Sequence, residues 1–292
     1  MTAPGLLVTL ATTAFALAAD RTRTVDDHGR DRHYAYVLGG DSVAFDLPLT
    51  EVQADLALSG AHPVDALVQA RGDAVRAWAA TRPDLTVDVT VHGNELSYAV
   101  STTSPDPGAA DAASAAAQRV SAAARAKFLG QHGYEEVNGL IRPAHARLVV
   151  DYAAIVAPVA AALTRPGDSA STYAARALTF VQAIPYESHG LSGDTYRRPL
   201  AVIDGDRGDC DSKAVLYLAL VRSAFPDVGE SLYYIPNHLY VGLDLPGTGT
   251  RITTAGRSFL VAEPAGPAQL PIGALDSRHQ GVAITDSRVV GQ

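Results

Sequence analysis

The sequence predicts an α+β fold whose C-terminal half packs one long helix on an antiparallel sheet. Three observations carry this. A stretch of helical character, CDSKAVLYLALVRSAF, begins at Cys210 just after a turn marked by Gly205 and Gly208. Three runs of strand character follow it closely, at residues 231–235, 238–245 and 257–263. Strands joined by such short connections pair antiparallel, and helices and strands gathered in separate stretches mark α+β rather than α/β. The N-terminal half carries its own hairpins and helices, so a first α+β domain at residues 19–150 is expected before a second at 151–292.

In chain order, residues 5–19 (GLLVTLATTAFALAA) form an apolar run of 15 without a charge. A membrane-spanning helix needs roughly 20. The run is followed closely by Arg21 and Arg23 and contains the small-residue pattern Ala16-Leu17-Ala18. It reads as a signal peptide over residues 1–18, which predicts export to the periplasm or the cell exterior. The alternatives are a membrane anchor or a buried first element, the last leaving the protein cytoplasmic. Residues 34–47 read as two strands turning at Gly39-Gly40. Pro63 opens a helix to about Ala80, with Val64, Leu67, Val68, Val75 and Trp78 at helical spacing. Residues 85–102 alternate as a hairpin around His92-Gly93-Asn94. SPDPGAADAAS then reads as a linker grading into an Ala-rich helix to about Phe128. Residues 148–163 are the most apolar later stretch, but Asp151 and Pro158 interrupt them, so a buried helix is expected and no stable span after signal removal. An amphipathic helix over 172–184 precedes a polar loop, 186–199, that leads to the Cys210 helix, which Asp211 or Ser212 is expected to cap.

The composition excludes several classes. One cysteine cannot form an internal disulfide, a zinc ribbon or a CxxC pair. A formal net charge of −8 argues against nucleic acid as a partner. With 47% hydrophobic and 18% charged residues, the chain has the makings of a core. If the protein is exported, a lone thiol in an oxidising compartment points to function.

Cys210 is placed at a helix start, where backbone N–H groups and the helix dipole favour a thiolate. Its neighbours Asp209, Asp211, Ser212 and Lys213 are polar, unlike a core run. The competing assignment is an inert buried thiol. Either aspartate would raise the thiol pKa if it faced the sulfur; both are expected to cap the helix or turn away. In NHLYVGLDL, Leu239, Val241, Leu243 and Leu245 share one face of a strand, and His238, Tyr240, Gly242 and Asp244 the other. His238 could meet the thiol if the Cys helix packs on that second face, serving as base and acid. Glu263, ending FLVAE before Pro264, could orient the imidazole. Asp244 is about 20 Å from His238 along an extended strand, too far to do so.

Together, GDCDSKAVLYLALVRSA, NHLYVGLDL and FLVAEPAGP resemble the transglutaminase-like superfamily of cysteine enzymes, over about residues 170–275. The resemblance implies a papain-like core, Cys210 as nucleophile, His238 as general base and acid, and Glu263 as orienting carboxylate. Two departures stand out: Ser212 where the family usually has Asp, and Glu263 where the triad acid is usually Asp. Oxyanion donors are also needed. The Cys210 backbone N–H is one candidate. FVQAIPY resembles the segment preceding the Cys box in bacterial members, which would aim the Gln182 amide at the site; Tyr186 and Tyr240 are candidates to line the cleft. Tyr196, Arg197, Arg198 and Pro199 match the loop before the Cys box, in a structural or substrate-facing role.

Other signals are weaker. Asp204, Asp206, Asp209 and Asp211 are spaced like a calcium loop, but the expected Gly is displaced and the closing Glu absent, so no metal is expected. His189 and His279 are loop histidines without a partner at a recognisable spacing. No GxSxG, HExxH, phosphate loop or dinucleotide fingerprint occurs, and no cofactor is expected. The expectation is a bacterial cysteine peptidase or amidase acting on a protein or peptide substrate through a thioester on Cys210. The alternatives are a transglutaminase with an amine acceptor and a non-catalytic binding or scaffold module.

Overall fold

The computed structural model describes residues 21–38, 40–59, 64–93, 95–188, 196–266 and 268–291. The expected signal peptide lies outside them, as do Gly39, Pro63, Asn94 and His189.

The described chain enters as an antiparallel meander of β1 (Arg21–His28), β2 (Asp31–Leu38) and β3 (Asp41–Pro48). Strand alternation turns Tyr34 and Tyr36 of β2 and Val43, Phe45 and Leu47 of β3 into the interior. Next come α1 (Leu49–Leu58), α2 (Val64–Ala80), the hairpin β4 (Leu85–His92) and β5 (Glu95–Thr102), then α3 (Ala109–Gln131). The α2 and α3 helices pack on each other and on this hairpin. Gly72 of α2 lets the helix sit close: an added Cβ would meet a Val89 methyl at 3.3 Å. A small ribbon, β6 (Tyr134–Val137) and β7 (Leu140–Pro143), leads to α4 (His145–Ile155) and α5 (Ala157–Leu163). The single buried helix expected over 148–163 is thus two helices bent by 73°. Pro158 sits in the first turn of α5, where its missing N–H does no harm, but it cannot continue the hydrogen bonding of α4. Among the described residues no single helix is long and apolar enough to cross a membrane.

The remaining elements are α6 (Ala170–Ala183), α7 (Pro199–Gly205), α8 (Cys210–Ala224), β8 (Glu230–Ile235), β9 (His238–Leu243), β10 (Arg251–Thr254), β11 (Arg257–Ala262) and β12 (Asp286–Val289). The five strands form one antiparallel sheet in the order β10-β11-β9-β8-β12. Every residue of α8 from Ala214 to Val221 is buried, the pattern of a helix covered on all sides. Around it stand α4, α5, α6, α7 and β9.

The hydrophobic core crosses the expected boundary at residue 150. One cluster joins Tyr34, Tyr36, Phe45 and Leu47 of the meander to Leu148, Tyr173, Phe180, Val215 and Leu239. Charge reinforces the join. Arg21 pairs with Asp206, Arg23 donates to the Ile203 and Asp204 carbonyls, and Arg32 and Tyr34 both donate to Asp204. What stands apart is the α2–β4–β5–α3 unit, where Leu67 and Leu129 form a separate cluster with Tyr134 of β6. The meander and the C-terminal half form one body, with this unit inserted between them in sequence.

The sheet's two faces differ. Leu239, Val241 and Leu243 share the main core with α8, whereas Tyr233, Ile235, Tyr240, Phe259, Val261 and Leu275 form a second cluster. The Cys helix therefore packs on the face opposite the one His238 takes by alternation. The two residues can approach only around the end of β9.

Candidate active site

Gly208 sets up the turn that delivers the cysteine. A Cβ there would lie 3.2 Å from the Lys213 side chain and 3.3 Å from both Val202 methyls, so the close packing of α7 on α8 needs a glycine. Gly208 also bridges to Tyr186, and its carbonyl accepts from the Glu187 N–H at 3.0 Å. This sets the 185–187 segment beside the start of α8. Asp209 is the N-cap, its Oδ1 accepting from the Ser212 N–H at 2.8 Å. The expected caps have other work. Ser212 Oγ accepts from the Arg197 N–H at 2.8 Å, and Asp211 turns toward the thiol.

Cys210 is buried, and its Sγ donates to Asp211 Oδ1 at 3.3 Å. Burial first, then the negative charges of Asp211 and Asp209, push this thiol well above the ordinary range. The helix start does not leave a resting thiolate, because the two carboxylates that flank the sulfur in sequence act on it in space. Asp211 has its own partner in His145, whose Nε2 lies 3.3 Å from Asp211 Oδ2 and whose Nδ1 is 2.9 Å from the Tyr234 hydroxyl. Burial would raise the Asp211 pKa, but the adjacent His145 and the hydrogen bond from Cys210 outweigh it and hold the carboxyl low. His145 is 2% exposed, a buried imidazole that sequence spacing gave no reason to join to the cysteine.

Cys210 and His238 line one cleft of about 550 Å³, together with Tyr186, Glu187, Ser188, Asp209, Asp211, Tyr234, Ile235 and Asn237. Asn237 has φ +61° in the tight turn between β8 and β9, and His238 is the first residue after it. His238 Nε2 is 2.9 Å from Glu263 Oε1, leaving Nδ1 as the other ring nitrogen. Glu263 Oε2 accepts from the Asp276 N–H at 2.9 Å. Burial would raise the Glu263 pKa; the hydrogen bonds from His238 and Asp276 and the nearby histidine charges bring it below the usual range instead. The surprise is His279, whose ring stacks on His238 at 3.9 Å and whose Nδ1 lies 2.8 Å from Glu263 Oε1. It has a partner after all, reached through a loop of irregular backbone that no sequence spacing encodes.

The other expected site residues divide. Tyr186 lines the cleft, and burial and then the neighbouring Cys210 raise its hydroxyl to about 12, keeping it a proton donor at neutral pH. Tyr240 does not line it; it is buried against Tyr233 in the second cluster. Nor does Gln182 aim its amide at the thiol. Its Nε2 donates to the Glu263 and Leu270 carbonyls at 2.9 and 3.0 Å, which fixes the segment carrying Glu263. In the loop before the Cys box, Arg197 pairs with Glu187 and Arg198 donates to the His132 carbonyl at 2.6 Å. Tyr196 is buried edge-on to His145. The four spaced aspartates do not converge as a calcium loop would require, since Asp204 and Asp206 serve the meander's arginines, Asp209 caps α8 and Asp211 faces the thiol.

No protein-family model, curated protein or solved structure matches the chain.

Proposed function

We propose that the protein is a thiol-dependent acyl-transfer enzyme of the transglutaminase-like class, hydrolysing a peptide or amide bond through a thioester on Cys210. The observation that carries this reading is the shared cleft. A cysteine at a helix start and a histidine with Nε2 held by a carboxylate face one space large enough for a peptide side chain. The helix–sheet packing of α8 on β9 is also what a papain-like core requires.

In this mechanism His238 Nδ1 takes the Cys210 proton as sulfur attacks the carbonyl carbon. Glu263 holds the ring and stabilises the imidazolium. The Cys210 N–H and the Tyr186 hydroxyl are the candidate donors to the oxyanion. The tetrahedral intermediate collapses, the C–N bond breaks, and the imidazolium gives its proton to the leaving amine. Water then attacks the thioester, losing a proton to His238, which returns it to the departing sulfur. The products are a carboxylic acid and the free thiol. Because the resting thiol is held neutral, proton transfer to His238 and attack on the carbonyl are coupled.

The test is acylation by an activated ester such as p-nitrophenyl acetate, followed by intact-mass measurement. Wild type is expected to carry one acetyl group on Cys210, and His238→Ala and Cys210→Ala none. Ester turnover that survives in Cys210→Ala would sink the proposal. The raised thiol pKa favours a second reading, a binding module with an inert buried cysteine. That reading predicts no acyl adduct in wild type.

A further inference from the structure

Glu263 faces two imidazoles, and the thiol mechanism uses only one. His238 Nε2 and His279 Nδ1 approach the same oxygen, Oε1, at 2.9 and 2.8 Å. The second approach lacks hydrogen-bond geometry: His279 Nδ1 is buried and makes no hydrogen bond among the described residues. The other carboxylate oxygen, Oε2, is held by the Asp276 N–H. The two nitrogens and the carboxylate oxygen all lie within 4.8 Å of one another.

Two imidazoles and a carboxylate are the donor set of a three-ligand zinc site with an open fourth position. With legs of about 2.0–2.2 Å and tetrahedral angles, ligand atoms stand roughly 3.3 Å apart. The observed N···O separations would open by about half an ångström, and the two rings, now stacked 3.9 Å apart at 23°, would turn about their side-chain bonds so that both nitrogens point at one ion. We propose that His238, Glu263 and His279 form a binding site for Zn²⁺, and that an ion there switches the cysteine chemistry off.

The switching follows from tautomers. A neutral His238 that coordinates through Nε2 carries its proton on Nδ1, the nitrogen that would receive the thiol proton. No proton is released; the ring proton only changes nitrogen, and the base is lost. Metal binding stands on the geometry alone, whereas its inhibitory effect rests on the thiol-enzyme reading.

Isothermal titration of metal-free protein with Zn²⁺ tests the site. Wild type and Cys210→Ala are expected to bind one ion per chain with similar affinity. His279→Ala and Glu263→Gln should each weaken binding by at least the roughly 10–100-fold that loss of an outer partner costs. Thermal melts confirm that both variants are folded, and His279→Gln supplies a bulkier replacement should the alanine variant melt early. Co²⁺ in place of Zn²⁺ should give visible d–d bands without a thiolate charge-transfer band in the near ultraviolet. Unchanged affinity in His279→Ala and His279→Gln, or a charge-transfer band that vanishes in Cys210→Ala, would overturn the proposal. None of these readings needs turnover. Zinc bound at this site in a protein that never acylates would retain the site and remove the enzyme.

Discussion

Asp211 is the residue on which the chemistry of the thiol turns. It accepts the Cys210 hydrogen at 3.3 Å and is itself backed by His145. Replacing it with asparagine removes a negative charge beside the sulfur, so the thiol pKa must fall. Asp211→Asn is expected to speed iodoacetamide labelling of Cys210 at pH 8 by roughly tenfold, the equivalent of about 1.4 kcal/mol. Slower or equal labelling would mean that burial and Asp209 hold the thiol neutral without help from Asp211. Cys210, His238 and Glu263 were legible in the sequence because each sits at the end of a periodic segment. His145 and His279 were not: one starts a helix far upstream, the other lies in a loop, and only folding brings either near its carboxylate. Gln182 and Tyr240 were misread for a related reason. Sequence tells which face a side chain takes but not which carbonyl or ring waits there.

Among the elements, α8 carries the clearest consequence. Lys213, fully buried one turn past the cysteine, donates from Nζ to the Ile184 carbonyl at 2.7 Å and the Ala265 carbonyl at 2.5 Å. It thereby ties the end of α6 to the segment just after Glu263. Burial lowers its pKa from 10.5 to about 7. Between those values the unfolded chain binds more protons than the folded one, so stability rises with pH through that window. The melting temperature of wild type should climb from pH 7 to 9 relative to that of Lys213→Met, which lacks the titration. Parallel pH profiles would show that the lysine folds in already adapted to its charge. Of the expected elements, the β4–β5 hairpin was marked by its alternation and α6 by its amphipathic spacing, whereas the short α1, α7, β6, β7, β10 and β12 carried no pattern long enough to predict them. The first strand, RTRTVDDH, carries little apolar signal because two of its three inward positions are Arg21 and Arg23, with only Val25 apolar. The break between α4 and α5 was written in Pro158, but an apolar run on both sides concealed it.

At the scale of the whole molecule, the meander and the C-terminal half share one core. A fragment of residues 151–292 therefore lacks Tyr34, Tyr36, Phe45 and Leu47 against α6 and α5, and also the first turns of α4, with His145, Leu148 and Val149, that cover α8. Such a fragment is expected to show secondary structure by far-ultraviolet circular dichroism without a cooperative melt, whereas residues 21–292 melt in one transition covering both ends. A sharp transition in the fragment would restore an independent C-terminal domain. Composition and hydrophobic pattern cannot report this sharing, because a buried tyrosine reads alike whether its neighbours are 10 or 180 residues away.

The Arg23–Ile203 contact closes over 180 residues of chain. During synthesis at about 5–20 residues per second, the meander leaves the ribosome roughly 10–40 s before its partner exists. Until α5 and α6 have emerged within that interval, Tyr34, Tyr36 and Phe45 lack the elements that cover them in the folded protein. Protein quality in the producing cell is then governed by what shields those few dozen residues while translation proceeds, and slow codons between the two halves would lengthen the exposure rather than help the chain fold.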